Sequence, residues 1–162
     1  MELWIWAFIG GLAGTFCMDL GARRFASIGV NDALGGLLGR WVIGFAKFKF
    51  VIDGNRELTT PESPLESRLG TMFHYIIGGG GVALIYPTWF SFSGTTLPEN
   101  HILPGLIFGI SSVALTWFVQ YPCFGFGVLG RNGPQRSHTI LPPICLHSLY
   151  GLVIGTVLQL GL

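Results

Sequence analysis

Four long apolar runs, at about 3–26, 69–92, 101–124 and 139–161, take up more than half of this 162-residue chain. Each is near the ~20 residues that a helix needs to cross roughly 30 Å of hydrocarbon at 1.5 Å per residue. No water is present there to satisfy peptide groups, so each run must close its hydrogen bonds internally, as a helix does. The runs therefore predict an all-α membrane protein, a four-helix transmembrane bundle forming one domain over residues 1–162. Composition agrees, because only 10% of residues are charged where a soluble domain carries about 25%. The stretches between the runs leave little chain for a separate soluble module.

The basic residues orient the bundle. At the end of the first run and beyond it come Arg23, Arg24, Arg40, Lys47, Lys49, Arg56 and Arg68, and between the third and fourth come Arg131 and Arg136. The other connection, Phe92–Asn100, and both ends have none. Lysine and arginine stay on the cytoplasmic side of short loops, so the N-terminus, Phe92–Asn100 and the C-terminus are expected to face outward. A formal net charge of +1 provides no field for nucleic acid, and the basic loops read as topology signals and lipid-headgroup contacts. The first run lacks a basic leader and an A-x-A site, so a retained span is expected rather than a signal peptide. Cys17, Cys123 and Cys145 are odd in number and lack C-x-x-C spacing, which argues against a disulfide framework.

Glycine is abundant within the runs. Gly10 and Gly14, Gly105 and Gly109, and Gly151 and Gly155 have G-x-x-x-G spacing, and Gly78 opens an unbroken run to Gly81. Small residues at that spacing let helix backbones approach closely in a bilayer, and a further such face would serve a homo-oligomer. In the first loop, Asn31–Asp32 marks a helix start. After it Leu34, Leu37, Leu38, Trp41, Phe45 and Phe48 recur at helical spacing, with Arg40 and Lys47 turned away. This predicts an interfacial amphipathic helix over about 32–48, or a re-entrant segment, given that each glycine in it weakens a helix by about 1 kcal/mol. The alternation Lys47-Phe48-Lys49-Phe50 ahead of Asp53-Gly54 reads as a short hairpin, and Pro61 and Pro64 close the loop. His74-x-x-x-Gly78 and His147-x-x-x-Gly151 outline a faint internal repeat.

Depth singles out four polar residues. Asp19, His74, Gln120 and His147 come one from each run, and counting 1.5 Å per residue from the run ends puts all four in the cytoplasmic half of the bilayer. A carboxylate near the bilayer centre costs at least about 2.5–3.5 kcal/mol, so such groups face inward and find partners. A convergent polar site is expected, supported by Tyr75, Tyr121, Tyr150, Cys17 and Arg23. Plainer readings stand beside it. Asp19 is four residues before Arg23, a favourable helical ion pair; each histidine alone suits packing; Gln120 is placed to satisfy carbonyls freed by Pro122.

Three chemistries fit such a cluster: a divalent metal held by His74, His147 and Asp19, a haem iron between two histidines, or a proton relay without cofactor. Two motif matches carry no function. Gly125-Phe126-Gly127-Val128-Leu129-Gly130 fits G-x-G-x-x-G but follows a membrane run and lacks the later acidic residue, so it reads as a flexible exit into the Asn132-Gly133-Pro134 turn. The run from Gly78 lacks the lysine and hydroxyl of a phosphate loop.

The order Met18-Asp19, Gly39-Arg40-Trp41, Glu66, His74-Tyr75 with Gly78, Gln120 with Pro122, Gly125 and Gly127, and His147 with Gly151 resembles a bacterial four-span inner-membrane family classed as a domain of unknown function. The resemblance covers nearly the whole chain. It departs where Tyr121 separates glutamine from proline and where Val128-Leu129-Gly130 replaces small polar residues. It implies a bacterial inner membrane and four spans, in which the outward-facing ends would be periplasmic by the lysine and arginine distribution, and it supplies no activity. The leading expectation is a polar intramembrane site that binds or relays a proton, ion or small ligand. The alternatives are an accessory subunit of a larger redox or photosynthetic membrane complex and an integral membrane enzyme. No metalloprotease, serine–histidine or phosphate-loop arrangement is present to favour the last.

Overall fold

A computed structural model describes residues 1–25, 34–133 and 139–162 of the chain. The Asn31–Asp32 helix start, Pro134 and Arg136 lie outside the described residues. Six helices follow in order: α1 Glu2–Phe25, α2 Leu34–Phe45, α3 Gly54–Glu57, α4 Pro64–Ser93, α5 Ile102–Cys123 and α6 Leu141–Gly161. A single 3₁₀ turn covers Val128–Gly130, and no strand occurs among the described residues. Four of the helices, α1 over Glu2–Arg23 and α4, α5 and α6 entire, are long and apolar enough to cross a membrane. The fold is all-α, with four such helices among the described residues.

Local chemistry sets the helix ends. Ser63 caps α4 by accepting from the Glu66 N–H while the Glu66 carboxylate accepts from the Ser63 N–H, and Pro64 occupies the first helical turn where its missing N–H is harmless. Gly94, at φ 70°, ends the helix in the left-handed region that glycine tolerates. Both α4 and α5 contain a widened π segment, His74–Gly81 and Thr116–Gln120. In α5 the cause is Pro122: its ring would clash with a carbonyl in the preceding turn, and the Tyr121 N–H donates to the Thr116 carbonyl in a wider loop instead. In α4 the four glycines from Gly78 to Gly81 offer no Cβ to resist widening.

The fold divides into two compact units, one of Met1–Gly21, Tyr75–Ser112 and Cys145–Leu162, the other of Ala22–His74 and Val113–Ile144. The first unit has Ala7, Ala83, Tyr86, Tyr150, Ile154 and Leu158 at its centre, with Leu3, Trp6, Met18, Leu84, Phe90 and Phe108 packed around them. Its helices meet backbone to backbone. A Cβ added at Gly109 would stand 2.6 Å from the Gly151 Cα, and one at Gly105 2.7 Å from the Gly155 Cα. Gly11 presses on the Gly79 carbonyl in the same way, Gly14 lies against Tyr150, and Gly10 is 3.2 Å by the same measure from the Ile154 Cα.

The second unit is built around rings. Leu37, Leu38, Trp41, Tyr121, Phe124 and Phe126 are its buried centre. The Trp41 indole meets Phe45, Phe73 and Phe124 edge to face with centroids 4.6, 5.6 and 5.8 Å apart, and its N–H donates to the Phe50 carbonyl at 2.8 Å. The glycines of α2 have a purpose that helix propensity does not reveal. Gly39 abuts the Glu66 carbonyl and Gly70 abuts the Gly35 carbonyl, so α2 and the start of α4 touch at their backbones.

Two expectations about this region are corrected. Arg40 is enclosed rather than turned away, its side chain only 10% exposed. Residues 47–53 form no hairpin: α2 ends at Phe45, and the chain runs on through a turn and an extended segment. There the Ile52 and Gly54 N–H groups donate to the Cys123 and Phe124 carbonyls, at 2.9 and 2.8 Å. Asp53, read as part of a turn, caps α3 instead by accepting from the Arg56 N–H. The Gly125–Gly130 stretch turns through positive φ at Gly125, Gly127 and Gly130. Phe48 and Leu129 also have positive φ, 55° and 58°, a conformation that costs a residue with a Cβ about 1–2 kcal/mol.

Candidate functional site

The first unit contains no lysine or arginine, and its acidic residues are Glu2, Asp19 and Glu99. Asp19 lies in α1 one turn before Arg23, toward the end of the apolar segment Glu2–Arg23, and both residues have further interaction partners. The Tyr75 hydroxyl, from the π segment of α4, donates to the Asp19 Oδ2 at 2.7 Å. Both side chains are half-buried. The phenol gives the carboxylate a neutral hydrogen-bond donor.

On α6, His147 Nδ1 is 2.7 Å from the Ser112 Oγ of α5, while that hydroxyl donates to the Gly109 carbonyl at 2.7 Å. A serine has one proton to give. Given to Gly109, it leaves the oxygen accepting from an Nδ1–H of His147; given to His147, it goes with the other tautomer of the ring. One turn on, the Tyr150 ring lies edge-on to His147 with centroids 6.2 Å apart. Tyr150 is 2% exposed, and its hydroxyl donates at 2.5 Å to the carbonyl of Gly79 in the π segment of α4. Tyr150 thus satisfies a polar group of the widened helix in an apolar core.

The remaining predicted residues belong to the second unit, apart from Cys17, which is half-buried on α1 of the first. His74 is half-buried at the start of the α4 π segment, where Gly78 also lies, and Gln120 is half-buried at the end of the α5 segment. The Gln120 carbonyl accepts from the Phe124 N–H at 2.9 Å. Tyr121 is buried with its ring 6.3 Å from Phe126, and Arg23 is exposed. His74 and Arg23 each have interaction partners. The two histidines of the proposed repeat differ in setting: His74 opens a π segment and His147 sits in regular α-helix. Among the described residues no three histidine, cysteine, aspartate or glutamate side chains converge so as to hold a metal ion.

Two arrangements escaped the sequence reading. The first is a guanidinium knot at Arg40. Its Nε donates to Glu66 Oε1 at 3.1 Å, Nη1 to the Glu57 carbonyl and to Glu57 Oε2 at 3.5 Å, and Nη2 to the Thr60 and Pro61 carbonyls at 2.9 and 2.7 Å. A cavity of ≈ 220 Å³ lies beside it, lined by Gly36, Arg40, Glu57, Thr60 and Glu62 among others. Only an arginine can fork to so many acceptors. The second is a buried pair in the first unit, Tyr86 hydroxyl to His101 Nδ1 at 2.9 Å, with the His101 backbone N–H donating to Gln159 Oε1 at 2.9 Å. Gly39-Arg40-Trp41 and Glu66 were visible as a pattern, though nothing in their spacing showed that they meet.

No curated protein and no solved structure matches this chain. A family model described as protein of unknown function (DUF2938) matches residues 8–158, in line with the resemblance seen in the motifs, and the chain belongs to that family.

Proposed function

We propose that this protein is a small polytopic protein of the bacterial inner membrane that relays a proton, ion or small ligand through polar groups on its spanning helices. Its termini are periplasmic in this reading, by the distribution of lysine and arginine. One observation carries the proposal: the carboxylate of Asp19, on a helix long and apolar enough to cross a membrane, is held by the Tyr75 hydroxyl at 2.7 Å. Ionisable groups at such depth are costly and mark ion or proton pathways. Two further features support it. Tyr75 lies in a π segment, a rare conformation found frequently at functional sites. His147, an imidazole on a second spanning helix, is held through Nδ1 by Ser112 at 2.7 Å.

The test is proton flux into proteoliposomes loaded with a pH-sensitive dye. Asp19→Asn keeps the shape and the hydrogen bond from Tyr75 but loses the charge, and flux is expected to fall at least tenfold with thermal stability unchanged. Flux equal to that of the unaltered protein would remove Asp19 from the path. The accessory-subunit reading is separated by native mass spectrometry on gently extracted protein, where it requires a stoichiometric partner protein.

A further inference from the structure

The turn that follows α2 holds its apolar side chains outward. Residues 46 to 51 are all exposed, with Phe48 at 85%, Phe50 at 57% and Val51 at 62%. Lys47 and Lys49 alternate with the two phenylalanines, and no carboxylate among the described residues pairs with either lysine. The turn is nonetheless rigidly made. The Lys47 and Lys49 N–H groups both donate to the Gly44 carbonyl at 2.9 Å and the Phe48 N–H to the Phe45 carbonyl at 3.0 Å, while Trp41 holds the Phe50 carbonyl.

Phe48 occupies the position of that turn where φ is +55°. A glycine or asparagine would fit there without strain. The fold gains nothing from the ring, which touches almost nothing. An aromatic side chain kept in a strained and solvent-facing position, between two lysines, has the composition of a membrane-interface contact: rings enter the headgroup boundary and ammonium groups meet phosphates.

We infer that the Ala46–Val51 turn docks on the bilayer surface and selects anionic lipid, with Lys47 and Lys49 on headgroup phosphates and Phe48, Phe50 and Val51 at the acyl boundary. The occupant is a lipid because a chain with four helices long and apolar enough to cross a membrane has that surface at hand. The charge of the turn, two lysines without an acidic neighbour between residues 46 and 51, complements an anionic leaflet.

The experiment is native mass spectrometry of the full chain in mild detergent, titrated with phosphatidylglycerol and with phosphatidylcholine of the same acyl chains. The unaltered protein is expected to favour phosphatidylglycerol. Lys47→Gln with Lys49→Gln should reduce that preference by about fivefold per lysine, ~25-fold for the pair. Arg56→Gln with Arg131→Gln changes the net charge equally at exposed positions and should alter the preference less than threefold. Phe48→Gly should weaken binding of both lipids while melting at the same or a higher temperature. The inference is overturned by an unchanged preference in the lysine variant, by an equal loss in the arginine control, by a lower melting temperature in Phe48→Gly, or by a co-purifying protein that the turn variants lose.

Discussion

The two units are held together by different means. In the first, helices meet through glycine, with Gly105 and Gly109 against Gly155 and Gly151 and Gly11 against Gly79, close enough that no Cβ fits. In the second, the centre is a set of aromatic rings around Trp41, beside a guanidinium with two carboxylates and three carbonyls around it. All the lysines and arginines of the chain belong to the second unit. Glycine faces bring backbones close enough for van der Waals packing to supply the attraction. Aromatic rings instead bury large areas in edge-to-face geometry, and a guanidinium can be enclosed beside them if its donors are met.

That contrast can be broken at three places. The largest effect is expected from Arg40→Leu, which strands Glu57 and Glu66 and three carbonyls; loss of one partner of a buried ion pair costs about 3–5 kcal/mol. Thermal unfolding in detergent reads it, and Arg40→Lys should rescue little because an ammonium cannot fork. If Arg40→Leu melts like the unaltered protein, the knot contributes no stability. Next comes Gly109→Val, whose added carbons meet the backbone of α6; overpacking of this kind costs about 3 kcal/mol. Unfolding titrations with sodium dodecyl sulfate measure it, and a midpoint unmoved by the substitution would show that the glycine contacts are loose. The smallest is Tyr150→Phe, which leaves the Gly79 carbonyl buried without its donor at a cost of about 2 kcal/mol. Hydrogen exchange along the π segment of α4 should then rise, and unchanged protection would mean that Tyr150 does not hold it.

The four long helices were legible because hydropathy over a full span is a strong signal, and their observed ends fall within a few residues of the expected ones. The exception is α4, which begins at Pro64 rather than near residue 69, because the Ser63–Glu66 capping box and Pro64 nucleate a polar turn that hydropathy does not register. Among the site residues, the expectation was one convergent cluster of Asp19, His74, Gln120 and His147 with tyrosines around it; the structure shows Tyr75 on Asp19 and Tyr150 beside His147. Their actual partners, Ser112 and the Gly79 carbonyl, were hidden: a serine in a spanning helix bonds to its own backbone as a rule, and a carbonyl has no sequence signature. Arg40 was misread for a related reason. A helical wheel divides α2 into apolar and polar faces, whereas the surface that meets α4 is made of glycine, and glycine reads as neither.

The hydroxyl of Ser112 is shared between two neighbours in the first unit. Its oxygen lies 2.7 Å from the Gly109 carbonyl on its own helix and 2.7 Å from His147 Nδ1 on α6. With a single proton to give, it serves one of them at a time. The orientation of one hydroxyl and the tautomer of that ring are therefore a single variable, and a change at either is felt at the other.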